Sequence, residues 1–334
     1  MKLSILDSLE VARGSTSAAA LQAAIGLAKL GDELGLERYW VVEHHGFGHE
    51  LCPAPDILLG AVASATRRIR VGAGGMLLNR HSPYRIAQAF RTLMALHPDR
   101  IDLGIGRSMA GINAERVFRR DAGEVTPEEH PARVEEVLGW LSNSIAQDGP
   151  LAGLHILPDL AAGPTPWLLA ASPGTGALAA RLGLPLAFSG FIRPDLVAEV
   201  SAGYRAQFQP SAYAAGLKAP RSLVAVMAVA AETQEEAEHL ALPLRMVLDL
   251  RVKQRIVLPE MPSFEDAIAH FGGMVPSSPD DRPSRLVGTY ADIAQKLRAI
   301  GKAAGVDEIM IRPFTTDIGA RHAMFRELAP LLKD

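Results

Sequence analysis

Short apolar runs alternate with longer segments of helical hydrophobic spacing along most of the chain. Runs of this length, bounded by turn residues, are typical of buried strands, whereas apolar residues three and four apart are typical of helices that cover a sheet. The predicted strands cover residues 2–7, 39–42, 68–75, 99–106, 165–171, 185–189, 222–231 and 307–311. The predicted helices cover residues 17–35, 55–66, 83–96, 128–144, 174–182, 194–208, 233–250, 288–300 and 318–332.

This alternation is typical of right-handed βαβ units and therefore of a parallel sheet. Eight strands favour a TIM-type (β/α)8 barrel, with an open doubly wound sheet as the alternative, because periodicity does not show closure. Residues 251–285 interrupt the pattern with three closely spaced prolines, Pro276, Pro279 and Pro283. We interpret this segment as an insertion or lid before the last β/α unit of a single domain, residues 1–334.

The composition narrows the class of protein. The chain is 48% hydrophobic, enough for a sizeable core, and its formal net charge of −3 favours neither nucleic acid nor an anionic membrane as a partner. No apolar run approaches the length of a membrane span. Cys52 is the single cysteine, which excludes an internal disulfide and fits a reducing compartment, so we expect a cytoplasmic protein.

The second strand ends abruptly in three ionisable residues, Glu43, His44 and His45. The carboxyl ends of parallel strands are where α/β enzymes carry their chemistry, so these three are the candidate catalytic residues. The alternative is a pair of surface histidines in a loop. His44, His45 and His49 could also suggest a metal site, but adjacent histidines rarely face one ion, and we predict no metal.

Two glycine-containing turns are candidates for binding a phosphate. Residues 104–111 (GIGRSMAG) place Arg107 in the turn after the fourth strand, and residues 170–176 (AASPGTG) place Ser172 and Thr175 where a helix begins after the fifth. Backbone N–H groups at a helix start and a guanidinium together suit one phosphate. The alternatives are a packing turn and an ordinary capped helix. A dinucleotide fingerprint is absent after the first strand.

Consecutive glycines end the third strand, at residues 72–75 (GAGG). They indicate an unusual backbone conformation or the close approach of a flat ligand, unless they merely end the strand.

Six motifs, in this order and spacing, resemble the bacterial luciferase-like flavin monooxygenases. They are residues 38–45 (RYWVVEHH), 69–75 (IRVGAGG), 81–83 (HSP), 100–107 (RIDLGIGR), 171–175 (ASPGT) and 307–310 (DEIM). Each motif is weak alone, but the first five in succession are highly specific, and their order and spacing agree with the family from residue 1 to about residue 191. Residues 307–310 resemble the eighth strand of the family. Asn79 and Arg80 depart from the family pattern, in which proline and a smaller residue are more common.

The resemblance implies a TIM-type barrel that carries FMN at its carboxyl-terminal mouth, reduced and supplied by a separate flavin reductase. It implies a catalytic role for His44, with Glu43 and His45 beside it. It implies cofactor binding by Gly74, Gly75, Arg107, Ala171, Ser172, Gly174 and Thr175, with a cis peptide bond at Gly74–Gly75. A homodimer is expected from the resemblance as well.

Such an enzyme oxygenates a small hydrophobic substrate through a flavin hydroperoxide, which must be shielded from water. We expect an apolar mouth lined by Met76, Leu77, Leu78, Phe188 and Phe191. Two alternatives stay open: a deazaflavin-dependent oxidoreductase of the same fold, and a flavin-binding protein without catalytic activity. The sequence leaves the substrate undefined among aldehydes, sulfonates, and aromatic or polyketide products.

Overall fold

The computed structural model describes residues 1–46, 48–107, 114, 117–118, 126–145, 151, 153–210, 213, 217–273 and 285–333. Its strands are β1 (Lys2–Asp7), β2 (Arg38–Val41), β3 (Arg70–Leu77), β4 (Ile101–Gly106), β5 (Thr165–Ala170), β6 (Leu186–Ser189), β7 (Ser222–Ala231), β8 (Arg285–Thr289) and β9 (Glu308–Pro313). Its α-helices are α1 (Ser17–Leu34), α2 (Pro55–Ala65), α3 (Pro83–Leu96), α4 (His130–Leu141), α5 (Pro173–Leu182), α6 (Val197–Gln207), α7 (Gln234–Asp249), α8 (Phe264–His270), α9 (Tyr290–Ala304) and α10 (Ile318–Leu332).

Eight of the strands close into a ring, in the order β1-β2-β3-β4-β5-β6-β7-β9 and back to β1. Closure depends on two pairings between strands that do not follow one another in the chain, β1 with β9 and β7 with β9. Every pairing in the ring is parallel, so the carboxyl-terminal ends of all eight strands lie at the same mouth of the barrel. The predicted (β/α)8 barrel is therefore confirmed and the open sheet is excluded.

The ninth strand, β8, lies outside the ring. It pairs with the second half of β7, from Met227 to Ala231, whereas β9 pairs with residues from Val224 to Ala228. Arg285 was predicted to end the insertion, and this strand was not predicted. Its short apolar core, Leu286 and Val287, is too brief to distinguish a strand from a loop.

The helix boundaries follow local capping chemistry. The side chains of Thr16, Thr233 and Thr289 accept hydrogen bonds from the first turns of α1, α7 and α9. Gly35 and Gly305 end α1 and α9 in the left-handed conformation that glycine adopts at low cost. These signals are local in sequence, and the predicted boundaries of α1 and α3 agree with the structure to within one residue.

A buried ionic cluster fills the barrel at its amino-terminal end. The Arg38 guanidinium donates to Asp102 at 2.6 Å and to Glu308 at 2.5 Å, and Trp40 Nε1 donates to Asp102 at 3.0 Å. Burial alone would raise the pKa of Asp102, but the charges of Arg38 and Arg70 outweigh it and the pKa is lowered. Above this cluster the interior is apolar and includes Leu6, Trp40, Trp167, Ala187, Leu223, Ala225 and Met310.

The predicted insertion is partly described. After α7 the chain makes a π-helical turn, Leu250–Gln254, and reaches α8, while residues 274–284 lie outside the described part. Leu258 O is 3.1 Å from His49 Nδ1, and Arg251 pairs with Glu50 at 3.5 Å. This segment therefore packs on the loop that follows β2, and its role as a lid stays a prediction. Within the described residues, none of the helices has the length and apolarity needed to cross a bilayer.

Candidate functional site

The predicted catalytic and cofactor residues lie at the carboxyl-terminal mouth. Glu43, His44 and His45 follow β2, and Gly74 and Gly75 lie near the end of β3. Arg107 follows β4, and residues 171–175 form the turn after β5 and the first turn of α5. Because β2 to β5 are neighbours in the ring, these groups occupy four successive strand ends. Parallel closure thus brings the predicted residues to one edge of the barrel.

The glycine run of β3 forms an irregular, tightly packed edge. The peptide bond between Gly74 and Gly75 is cis, as the resemblance implies. At this point the pairing with β4 changes register, from Ala73–Leu103 to Met76–Ile105, so β3 carries an extra residue and bulges. A Cβ on Gly75 would lie 2.7 Å from Gly104 O, so a side chain at this position would collide with the backbone of β4.

The Glu43 carboxylate, fully buried, is the centre of a hydrogen-bonded cluster. Its Oε1 is 2.5 Å from His45 Nε2 and 2.7 Å from His81 Nε2, and its Oε2 accepts from Leu77 N at 2.6 Å. Burial alone would raise the pKa of Glu43, but these hydrogen bonds, with the charge of His81, lower it to about 2. We call Glu43, His45, His81 and the Leu77 N–H the Glu43 cluster.

His81 was not among the predicted site residues. It appeared only as part of the HSP motif, since its approach to Glu43 requires β2 and β3 to be neighbours. Among the described residues, the ligand atoms of Glu43, His45 and His81 lie within 4.8 Å of one another, a spacing that could hold a metal ion. The trio suggested by the sequence, His44, His45 and His49, is not brought together in this way.

His44 faces a different set of groups. Burial is the main reason that its pKa is lowered, and the charges of Arg312 and Arg251 act in the same direction. Glu50 and Glu10 oppose them. The imidazole is therefore held neutral at neutral pH, a state in which it can accept a proton.

A second ionic network, which the sequence did not reveal, lies on this side of the mouth. Arg312, on β9, donates to Ser8 Oγ at 2.6 Å and lies 3.0 Å from Glu50 and 3.2 Å from Glu10. Glu10 also pairs with Arg321 at 2.6 Å. Burial alone would raise the pKa of Glu10, but Arg321 and Arg312 lower it to about 2. The network joins residues about 300 positions apart, so local sequence signals could not have found it.

The phosphate corner lies between β4 and β5. Ile105 pairs with Leu168, a register that carries Arg107, exposed at the end of β4, to the level of Ala170. Ser172 is the N-cap of α5, and its Oγ lies 3.2 Å from Thr175 Oγ1. A Cβ on Gly174 would meet no atom within 4 Å, so the helix start is open. The rest of the predicted glycine turn, residues 108–111, lies outside the described residues.

Three of the five apolar residues predicted to line the mouth, Met76, Leu78 and Phe188, belong instead to the large buried core that also contains helix residues. Met76 and Phe188 face this core because alternate residues of a strand point to opposite sides, and Leu78 lies in the turn after β3. Phe191 packs against the interior cluster and also against a second buried cluster, which contains Phe314 and Met261. Val42 and Leu169, partly exposed, extend the interior cluster toward the mouth.

Comparison with known families agrees with this arrangement. The sequence model of the luciferase-like monooxygenase family matches residues 1–308. The chain belongs to the luciferase-like monooxygenase family. A luciferase-like monooxygenase of Escherichia coli K12 is 32% identical over 336 residues, covering 99% of this chain and 96% of the relative. The N-acetyl-S-alkylcysteine monooxygenase of Bacillus subtilis is 30% identical and covers 93% of this chain and 92% of the relative.

Solved structures of luciferase-like monooxygenases and their relatives share the fold. The structure of apo-MsnO8 superimposes with a TM-score of 0.89 at 35% identity, covering 99% of this chain and 98% of that one. The oxygenating constituent of 3,6-diketocamphane monooxygenase from Pseudomonas putida, solved in complex with FMN, has a TM-score of 0.70 at 19% identity and covers 99% of this chain and 98% of that one. A secondary alcohol dehydrogenase that depends on the deazaflavin F420 has a TM-score of 0.67 at 16% identity and covers 100% and 99%. The last two likenesses concern the fold alone.

Proposed function

We propose that this luciferase-like monooxygenase uses reduced FMN and dioxygen to oxygenate a small hydrophobic substrate. The observation that supports this most is the convergence of three features at one mouth: the Gly74–Gly75 bulge, the Arg107 guanidinium and the open start of α5. Glycine backbone beside a guanidinium and the N–H groups of a helix start would suit a flat ring with a phosphate tail.

The donor chemistry of the phosphate corner fits the tail of FMN. The Arg107 guanidinium would bind phosphate oxygens from the β4 side. The hydroxyls of Ser172 and Thr175, with the backbone of Ala171 and Gly174, would bind them from the start of α5. The ring would lie across the bulge of β3, where Gly74 and Gly75 present backbone only.

When bound in its reduced form, FMN supplies the electrons for dioxygen activation. The chain supplies orientation and control of protons. His44, held neutral, is placed to accept or return a proton. The apolar interior around Val42, Leu169 and Phe191 would exclude water and receive the hydrophobic substrate.

The wider features of the proposal come from the family. A separate flavin reductase delivers reduced FMN by diffusion or transient contact, and the chain forms a homodimer. The substrate is a small apolar molecule. The thioether substrate named for the Bacillus subtilis relative makes S-alkyl compounds a reasonable first group to screen.

The decisive experiment measures cofactor binding and turnover separately. Purified protein is titrated with reduced FMN under anaerobic conditions, and then supplied with a flavin reductase, NADH, isotopically labelled dioxygen and a panel of apolar substrates. We expect tight binding of reduced FMN and transfer of one labelled oxygen atom to a substrate. Failure to bind either oxidised or reduced FMN would overturn the proposal.

The His44→Ala variant tests the proton-transfer role. We expect the turnover number to fall about 100-fold, the range ordinarily contributed by a general acid–base group, while the dissociation constant for FMN stays within about twofold. Stopped-flow turnover and fluorescence titration give the two quantities. Unchanged turnover would remove His44 from the reaction.

Two other functions are compatible with the same site. Hydride transfer with a deazaflavin is favoured by the fold shared with the F420-dependent dehydrogenase, and parallel titrations with F420 and FMN distinguish the two cofactors. A flavin-binding protein without activity would bind FMN but give no turnover with any substrate of the panel.

A further inference from the structure

The proposed function assigns no task to the Glu43 cluster. One carboxylate receives hydrogen bonds from two histidines and from the backbone of β3 immediately after the bulge. The three partners come from the loop after β2, from the end of β3 and from the turn before α3. A single side chain thus ties together the two strands that flank the proposed ring site.

The ionised state of Glu43 determines which imidazole nitrogens carry hydrogen. An ionised carboxylate only accepts hydrogen bonds, so His45 and His81 must both donate through Nε2. A neutral imidazole with hydrogen on Nε2 has its lone pair on Nδ1. The ring of His45 is also held from another side, by an edge-to-face contact with Phe118 at 4.8 Å between ring centroids.

We propose that Glu43 and His81 are positioning residues that lock His45 in the Nε2–H tautomer, with Nδ1 offered as an acceptor at the mouth. The same carboxylate fixes the end of β3 through the Leu77 N–H, so the acceptor and the ring site are aligned together. This inference rests on the proposed function and deepens it.

The distances distinguish this arrangement from a metal centre. Two nitrogen or oxygen ligands of one zinc ion lie about 3.2 Å apart, as follows from metal–ligand bonds of about 2.0 Å in a tetrahedron. The separations of 2.5 Å and 2.7 Å from Glu43 Oε1 to the two Nε2 atoms are those of direct, charge-assisted hydrogen bonds. The members of the Glu43 cluster therefore hydrogen-bond directly to one another, and the carboxylate orients each imidazole.

Nitrogen-15 NMR of the histidine rings tests the tautomers without any cofactor. Spectra of the full-length apo protein are recorded at about pH 8.5, above the ordinary imidazole pKa of about 6.5. We expect His45 and His81 to show the Nε2–H pattern, and at least one of them to move toward Nδ1–H in the Glu43→Gln variant. A predominant Nδ1–H pattern or a doubly protonated ring at His45 would overturn the proposal, and so would stoichiometric binding of added Zn²⁺ by the three residues.

Two substitutions of His81 distinguish a role in positioning His45 from a role in the stability of the fold alone. His81→Gln keeps an N–H donor near the Nε2 position, whereas His81→Leu removes it. We expect His81→Leu to lower turnover about tenfold and to let the Nδ1–H form of His45 appear, and His81→Gln to restore both toward wild type. His97, which lies at the opposite end of α3, provides the matched control His97→Leu. Equal effects of His81→Leu and His81→Gln on the His45 spectrum would contradict the assigned role.

The two sets of measurements fail independently. If the protein does not bind FMN but His45 has the expected tautomer, the proposed function is wrong and the positioning role of Glu43 stands. If FMN binds and turns over while His45 has the other tautomer, the inference is wrong and the proposed function stands.

Discussion

Glu43 illustrates how a buried charge is stabilised by specific partners. Burial disfavours the ionised carboxylate, yet two histidines and one backbone N–H lower its pKa to about 2. The folded state therefore binds a proton on this group less readily than the unfolded state does. By linkage, the associated stability is present above the unfolded pKa of about 4.5 and is lost as the pH falls toward 2.

The acid stability of the Glu43→Gln variant tests this reasoning. The wild-type free energy of unfolding should fall by about 2–3 kcal/mol more than that of the variant between pH 5 and about 2. Urea denaturation at a series of pH values measures the difference. If the free energies of unfolding of the two proteins changed with pH in parallel, the partners of Glu43 would not be lowering its pKa in the folded state.

The Arg107→Ala variant tests the phosphate corner. Loss of the guanidinium removes a charge-assisted contact, so the dissociation constant for FMN should rise roughly 10- to 100-fold, corresponding to about 1.5–3 kcal/mol. Riboflavin has the same ring without phosphate, and its affinity should change little. Fluorescence titrations with both ligands measure the ratio, and an equal loss for the two would refute the role in phosphate binding.

At the scale of the elements, the end of β3 combines a bulge with close packing against β4. A side chain at residue 75 would lie 2.7 Å from Gly104 O and 3.1 Å from Gly106 N, which are backbone atoms that move only if β4 moves. Gly26, on α1, is different, since a Cβ there meets nothing within 4 Å. The two glycines therefore make a matched pair.

The Gly75→Ala variant should be destabilised by about 1–3 kcal/mol through overpacking, and should bind FMN more weakly because the bulge is displaced. Gly26→Ala should be stabilised by about 0.5–1 kcal/mol, because alanine favours a helix. Thermal and urea unfolding give both values. A Gly75→Ala protein as stable as wild type would show that β3 and β4 can separate without cost.

The prediction of the elements succeeded where signals are local. Pro83 after Ser82 starts α3, the Ser172-Pro173 pair starts α5, and the apolar run from Ser222 to Ala231 is β7 over its full length. It failed for β8, whose strand character comes from its pairing with β7 and not from its own five residues. Residues 108–113 and 274–284 lie outside the described part of the chain, so the predictions there stay untested.

At the scale of the whole molecule, the ionic cluster at the amino-terminal end joins β2, β4 and β9 inside the barrel. The Arg38 guanidinium is enclosed by Asp102 and Glu308 and lies over the Trp167 ring at 4.7 Å from its centroid. Removing one carboxylate leaves the buried Arg38 charge without one of its two counter-ions. The loss of stability from an unpaired buried charge exceeds the net stability that the ion pair contributes.

The Asp102→Ala variant should therefore lose about 3–5 kcal/mol of unfolding free energy. Urea denaturation at neutral pH measures this loss. The exposed pair between Arg181 and Glu135 at 3.2 Å is the control, because Glu135→Ala should cost no more than about 1 kcal/mol. A loss at Asp102 as small as that at Glu135 would mean that water reaches the base of the barrel.

Local sequence patterns predict the alternation of strands and helices, the glycine run and the strand ends at which Glu43, His44, Arg107 and Ser172 lie. These features depend on hydrophobic periodicity and capping, which act between residues close in the chain. The closure of the sheet, the contact of His81 with Glu43 and the contacts of Arg312 with Glu10 and Glu50 become known only from the folded arrangement. Closure brings residues far apart in the chain to one mouth, and no local pattern encodes which of them will then share a proton or a charge.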